Sequence, residues 1–186
     1  MAPGIAAALG PALLSFEGSL QSVLLSNNVL VDEGLSAILE ALVARADTRK
    51  LVVANNDVGP LSSAQIIKLL GKPQPNNLDE LRLIACKAQG PVVIDVLESV
   101  REGYCYLKRL GLVKMQLNGA GVGMLIDALP SFPYLVELDL SWNSLFPESI
   151  SKLLSAMKGL KKLQSLNLAW NSLGSTPIVT KICKLI

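Results

Sequence analysis

The chain has 186 residues, a hydrophobic fraction of 51%, a charged fraction of 17% and a formal net charge of +2. This composition is far from that of disordered proteins, and the length suits one compact domain or one short repeat array. The small net charge gives no overall field for binding nucleic acid, and the absence of histidine removes the usual general base of serine and cysteine hydrolases and the commonest zinc ligand.

The cysteines and the N-terminus exclude further classes of protein. Cys86, Cys105 and Cys183 have no paired spacing, so neither a zinc site nor a disulfide framework is predicted. Pro3 and Pro11 interrupt an apolar N-terminus that has no positive segment, which argues against a secretory signal, and no apolar run approaches the roughly 20 residues that cross a bilayer. We predict no cofactor, no metal, no nucleic-acid or membrane partner and, since no Asn-x-Ser/Thr sequon occurs, a cytoplasmic location.

In chain order, the first predicted element is a helix. Residues 4–13 (GIAAALGPAL) resemble the helical segment GLSAILEAL that begins at Gly34, so residues 1–19 are predicted to form a half-repeat. Six segments then fit the pattern L-x-x-L-x-L-x-x-N/C-x-L, and they begin near residues 20, 48, 78, 107, 135 and 163. Such self-similarity is the signature of a repeat fold. The sixth repeat is incomplete.

The pattern predicts a short strand in each repeat. Leucines two residues apart, as at Leu138 and Leu140, point to one face of a strand and into the core. The ninth position is predicted to form a structural ladder, in which a side-chain amide bonds backbone groups that would otherwise be buried and unpaired. Cys86 can replace asparagine as a weak donor, whereas Met115 cannot, so the fourth repeat is predicted to be looser or satisfied by water. The predicted ladder residues are Asn28, Asn56, Cys86, Asn143 and Asn171.

Helical spacing separates the strands. The apolar faces are predicted at Leu35, Ile38, Leu39 and Leu42, at Val93, Val96, Leu97 and Val100, and at Leu153, Leu154 and Met157. Residues 72–77 (KPQPNN) are predicted to form a rigid exposed loop. Residues 118–123 (NGAGVG) are not G-x-G-x-x-G, and we assign them to a strand-to-helix turn, where Gly34 also falls, and not to a dinucleotide site.

A helix in every repeat and a period near 28 resemble the ribonuclease-inhibitor-like leucine-rich repeats, and the resemblance covers nearly the whole chain. It implies an α/β leucine-rich-repeat solenoid over residues 1–186, a right-handed horseshoe arc with a parallel concave sheet and convex helices. Relatives of this repeat class include ribonuclease inhibitor, nucleotide-binding innate immune sensors, tropomodulin-like actin regulators and several ciliary proteins. The motif does not choose among them, and a cytoskeletal or ciliary setting stays open.

In that family the outward-facing strand positions bind proteins, so the resemblance implies a protein-binding concave face. Its predicted residues are Leu24, Ser26, Val52, Ala54, Arg82, Ile84, Val113, Asp139, Trp142, Asn167 and Trp170. The apolar positions of the first repeats favour an interface, or a surface covered by a neighbour of the chain itself. Trp142 and Trp170, 28 residues apart, form either an interface hot spot or a stack that stabilises the ladder.

Charge is unevenly distributed in two respects. Strand neighbours alternate in sign, which predicts ion pairs between repeats: Arg49 and Lys50, Asp79 and Glu80, Lys108 and Arg109, Glu137 and Asp139. Residues 1–44 contain acids and no Lys or Arg, whereas residues 149–186 contain lysines and no acid. These ends are either ordinary solvated faces or two oppositely charged surfaces, of which the basic one meets an acidic partner.

These observations predict a non-catalytic protein-interaction scaffold. One alternative is a structural subunit of a large assembly, since both ends fall on half-repeats that further repeats or neighbouring subunits would cover. The half-repeats themselves predict either that the chain is a fragment of a longer protein or that partners cover its ends. Another alternative is a GTPase-activating protein that resembles the Ran GTPase activator, although the acidic tail typical of that family is absent.

Overall fold

The computed structural model describes residues 3–71, 78–87, 89–101, 103–117 and 119–172. Six strands form one parallel sheet in chain order, and helices connect them. The strands are β1 Ser22–Ser26, β2 Lys50–Ala54, β3 Glu80–Ile84, β4 Arg109–Val113, β5 Glu137–Asp139 and β6 Ser165–Asn167. The helices are α1 Pro3–Ser15, α2 Asp32–Arg45, α3 Pro60–Leu70, α4 Gln89–Ser99, α5 Gly119–Ala128 and α6 Pro147–Ala156.

The core lies between the sheet and the helices. The apolar residues two positions apart in each repeat, such as Leu138 and Leu140, are buried in it, except Leu166 of the last repeat, which is half-buried. All three apolar helix faces predicted from the spacing are also buried. The strand–helix alternation and the arc of leucine-rich repeats are therefore confirmed, because each repeat can bury its apolar side only against its neighbours.

The predicted opening helix is confirmed as α1, which packs against α2. Arg45, the last residue of α2, holds the end of α1 in place. Its guanidinium group donates to the carbonyls of Leu13 at 2.7 Å and Phe16 at 2.6 Å, and to Asp47. The same group lies 5.6 Å from the centre of the Phe16 ring. The hydrogen bond from Arg45 is also the main reason that the pKa of Asp47 is lowered.

Two of the predicted loop segments differ in outcome. Gly34 and residues 119–123 lie within α2 and α5, so assigning them to strand-to-helix turns was wrong by a few residues. The first strand ends at Ser26, two residues before the ninth position, and α2 already begins at Asp32. The loop at 72–77, Asn118, the closing half-repeat and Cys183 lie outside the described residues.

A carboxylate links the first residues of two neighbouring helices. Asp32 begins α2, but its side chain accepts hydrogen bonds from the backbone N–H groups of Gly59, Leu61 and Ser62 at the start of α3, at 2.9–3.0 Å. A Cβ on Gly59 would lie 2.5 Å from the Asp32 carboxylate, so glycine leaves the space that this cap occupies. Burial alone would raise the pKa of Asp32, but the hydrogen bonds with Ser62, Leu61 and Gly59 lower it.

We expect Asp32→Ala to lower the free energy of unfolding by about 1–2 kcal/mol, the usual cost of losing an N-cap. The stabilisation that is lost comes from a contact between two repeats, because the first N–H groups of α3, which have no partner within the helix, lose their acceptor on α2. Urea unfolding followed by circular dichroism measures it, with Glu33→Ala, the next and exposed position of α2, as the matched control. Equal midpoints for the two variants would contradict the assignment.

Candidate functional site

The predicted binding residues that belong to the strands lie on one face of the sheet. The strand register aligns the central outward row as Leu24, Val52, Arg82, Gly111, Asp139 and Asn167. A second row aligns Ser26, Ala54, Ile84 and Val113. The sheet thus brings together in space the strand positions that the sequence separates by 28–30 residues.

Exposure differs strongly along these rows. Leu24 is 62% exposed, whereas Val52 and Ala54 are only 8% and 7% exposed. Val52 lies in register between Leu24 and Arg82, both of which have longer side chains. Ser26 is exposed, and Ile84, Val113, Asp139 and Asn167 are half-buried. The apolar stripe expected in the first repeats therefore offers little surface beyond Leu24.

Charged side chains on this face pair with one another across the repeats, as the alternating signs predict. Glu80 is the centre of the network: Lys50 lies 3.2 Å from its carboxylate, and Arg82 and Arg109 lie 2.8 Å from it. At the edge of the face, Lys108 lies 3.1 Å from Asp79. Burial would raise the pKa of Glu80, but hydrogen bonds from Arg82, Arg109 and Lys50 outweigh it and lower the pKa to about 2.

Arg82 also reaches across a whole strand. Its guanidinium group contacts Glu137 and lies 3.6 Å from Asp139, both on β5, although Arg82 itself is on β3. The strand between them carries Gly111 in the same row, and a Cβ there would lie 3.0 Å from the Arg82 Cγ. The missing side chain at Gly111 therefore provides the path along which Arg82 lies.

The ninth-position ladder forms between neighbouring repeats. Asn56 donates to the carbonyls of Leu25 and Ala54 at 2.8 and 3.0 Å and accepts from the N–H of Leu30 at 3.0 Å. Asn143 and Asn171 bond in the same way. Asn28 follows the first strand, so the described part of the chain offers it no preceding strand to bond.

Cys86 takes the donor role expected of it, since its thiol donates to the carbonyls of Val53 at 3.4 Å and Ile84 at 3.6 Å. Burial is the main cause that raises the pKa of Cys86, and burial raises the pKa of Cys105 to about 11. Both thiols are free and stay protonated at neutral pH, so neither is an activated nucleophile.

Met115, the residue at the ninth position of the fourth repeat, is fully buried. That this repeat is packed more loosely than the others stays a prediction.

The two tryptophans lie where the strands end. Their rings are stacked, with centroids 4.1 Å apart and an angle of 13° between the planes. Trp142 is nevertheless 47% exposed and Trp170 70% exposed. Both residues have left-handed backbone, with φ of 62° and 58°, and Asn27 and Asn55 at the same repeat position have φ of 56° and 50°. The asparagines bond to each other, from Asn55 Nδ2 to Asn27 Oδ1, at 2.9 Å.

The described residues form neither a metal site nor a membrane-spanning helix. In residues 3–71, 78–87, 89–101, 103–117 and 119–172, no group of three or more His, Cys, Asp or Glu side chains is placed to hold a metal ion. None of the helices in that part of the chain has the length and apolar character needed to cross a membrane. The described residues thus form a repeat surface with one face of mixed polarity and one row of side chains at the ends of the strands.

Such a surface is typical of repeat proteins that contact other macromolecules. The family model described as "Leucine Rich Repeat" matches residues 134–154, and a second, "Leucine Rich repeat", matches residues 159–176. Residues 134–154 and 159–176 are therefore leucine-rich repeats, and the strand–helix repeats along the chain are similar to those of the ribonuclease-inhibitor-like type. Domains of this family generally bind proteins and are usually non-catalytic.

Two known proteins are similar to this chain over most of its length. The chain is 28% identical over 134 residues to "NACHT, LRR and PYD domains-containing protein 5" of Bos taurus, a match that covers 72% of this chain and 12% of that protein. It is also similar to the tropomodulin C-terminal domain of Caenorhabditis elegans, at 12% identity and a TM-score of 0.49, over 100% of this chain and 91% of that one. The chain thus spans about an eighth of the length of the cattle protein.

Proposed function

We propose that this chain is a non-catalytic interaction scaffold that binds a protein partner through its concave strand face, with Trp142 and Trp170 as the principal contact. The free thiols and the lack of glycosylation sequons support a cytoplasmic location. Along the rest of the face, Val52 and Ala54 are buried and the charged residues pair with each other. The tryptophan pair is therefore the largest exposed apolar feature at the last repeats.

The exposed tryptophan stack is the observation that carries the proposal. A left-handed backbone costs an L-amino acid about 1–2 kcal/mol, and asparagine is the non-glycine residue that tolerates it best. An aromatic pair contributes about 0.5–1.5 kcal/mol beyond the area it buries. The area that the stacked rings bury adds to this term, and the same left-handed backbone also occurs at Ala85 and Lys114 in this repeat position, so the backbone conformation does not depend on the tryptophans. Because both rings remain exposed, folding alone does not account for them, whereas a binding role does.

Replacing both tryptophans with asparagine separates the two roles. We expect the variant Trp142→Asn/Trp170→Asn to keep the wild-type free energy of unfolding or to gain up to about 1 kcal/mol, since asparagine suits this backbone. The new side chains can pair as Asn27 and Asn55 do. Urea unfolding measures the change. A loss of more than about 1 kcal/mol would instead make the stack a stabilising element.

Binding is tested in cells with a photo-crosslinking amino acid at Ala169, an exposed position next to Trp170. We expect one set of crosslinked proteins that disappears when Trp142 and Trp170 are replaced by asparagine. A crosslinker at Ala44, exposed on α2, is the control for general surface contacts. The proposal fails if the same proteins crosslink at both positions, or if the asparagine variant crosslinks as well as wild type.

A further inference from the structure

The opposite edge of the sheet, where the strands begin, carries a column of stacked side chains. Tyr106 and Tyr134 come directly before the first leucine of their repeats, and their rings are stacked with centroids 5.5 Å apart at 16°. Lys162 occupies the same place in the last repeat, and its Nζ lies 4.5 Å from the centre of the Tyr134 ring. The ring therefore positions this ammonium group although the residue is exposed.

Two more lysines belong to the same turn. Lys158 lies in the 3-10 turn Met157–Gly159, and Lys161 follows it, with its N–H bonded to the carbonyl of Gly159 at 3.0 Å. All three lysines are exposed, and within the described part of the chain none of them forms an ion pair with a carboxylate. Residues 149–172 contain no Asp or Glu, so these charges have no acid nearby in sequence.

The repeat does not need these charges for folding. In the preceding repeat the positions of Lys158, Lys161 and Lys162 are occupied by Pro130, Pro133 and Tyr134 around an equivalent 3-10 turn. The same backbone turn therefore forms with no charge at all. Three unpaired ammonium groups within five residues also repel one another, a cost that is repaid only when an anion is bound.

We propose that this turn, with Lys158, Lys161 and Lys162 beside the tyrosine column, binds an acidic segment of a partner protein rich in Asp and Glu. The opposing charges attract each other, and the ring under Lys162 keeps one ammonium group in place before binding. The site is separate from the tryptophan pair, since the eight residues from Lys162 to Trp170 span on the order of 20–25 Å of extended chain. It does not rest on the concave-face proposal.

The aromatic geometry favours an acidic peptide over other anionic partners. Binding of single-stranded nucleic acid uses free aromatic faces on which bases stack, but the facing sides of Tyr106 and Tyr134 are stacked on each other and Lys162 lies over Tyr134. A membrane-surface segment uses exposed apolar anchors next to its lysines, whereas Met157 is buried and Leu160 and Leu163 are half-buried. The exposed feature of this turn is therefore its positive charge.

Fluorescence anisotropy with the whole 186-residue chain and a labelled twelve-residue peptide of alternating Glu and Ser tests the proposal. We expect Lys158→Gln/Lys161→Gln/Lys162→Gln to weaken peptide binding by about tenfold or more at low ionic strength, and added salt to weaken wild-type binding. The matched control, Lys68→Gln/Lys87→Gln/Lys114→Gln, removes the same charge from exposed lysines elsewhere and should bind within about twofold of wild type.

Equal weakening by the two triple variants would overturn the proposal, because net charge alone would then govern binding. Stronger binding of a labelled oligouridine, or of vesicles containing phosphatidylserine, would also overturn it in favour of nucleic acid or membrane. Circular dichroism of each variant confirms that the fold is kept. The asparagine variant of Trp142 and Trp170 should bind the acidic peptide like wild type.

Discussion

Replacing Asn143 with alanine is expected to lower the free energy of unfolding by about 3–5 kcal/mol. The Asn143 Oδ1 accepts from the N–H groups of Met115 at 2.9 Å and Leu117 at 3.3 Å, while its Nδ2 donates to the carbonyl of Leu112 at 2.6 Å. These groups belong to the preceding repeat and lie in the core. Leaving each of them unpaired costs about 1–3 kcal/mol, partly recovered if water enters.

Asn28 provides the matched control for this prediction. It has the same place in its repeat, but it follows β1 and has no preceding strand in the described part of the chain. We expect Asn28→Ala to cost less than about 1 kcal/mol, within the range of an ordinary surface substitution. Urea midpoints compared at constant m-value measure both effects. Equal losses would mean that the amide acts within its own turn and not between repeats.

The sequence predicts the periodic part of this fold well. Leucine spacing determines which strand faces are buried, and the repeat positions place the ladder residues and align the rows of the concave face. Alternating charge also predicts the ion pairs between strands, because residues 28–30 apart in the chain become direct neighbours. Each of these features depends only on the residue type and its place in the repeat.

Features that depend on distances across repeats could not be predicted in this way. Asp32 caps α3 and not its own helix. The sequence does not predict this contact, because the space left by Gly59 becomes known only when the repeats are stacked. Arg82 reaches β5 because Gly111 is small, which no single repeat reveals. The left-handed backbone at Trp142 leaves a partial signal, since asparagines occupy the same repeat position at residues 27 and 55, whereas Ala85 and Lys114 occupy it in the third and fourth repeats.

Replacing Glu80 with glutamine is expected to lower the free energy of unfolding at pH 7 by about 2–4 kcal/mol, at the lower end of the cost of breaking a buried ion pair. Its side chain is only 5% exposed and accepts from three cations, at 2.8 Å from Arg82 and Arg109 and 3.2 Å from Lys50. Glutamine keeps the shape of the side chain and removes the charge. Lys50 and Arg109 are partly exposed and regain water, which limits the loss.

The effect should depend on pH in a definite direction. Folding lowers the pKa of Glu80 from 4.5 to about 2, so its carboxylate stabilises the fold fully at pH values above 4.5. That stabilisation is lost as the pH falls from 4.5 towards 2, where protonated Glu80 resembles glutamine. Urea unfolding of wild type and Glu80→Gln between pH 2 and 7 should therefore give free energies of unfolding that converge at low pH.

Glu137→Gln is the control for this prediction. Arg82 would keep its contacts with Glu80 and Asp139, so the free energy of unfolding should fall by less than about 1 kcal/mol. If the free energies of unfolding of Glu80→Gln and wild type differed by the same amount at every pH, packing and not charge would be the contribution of Glu80 to stability.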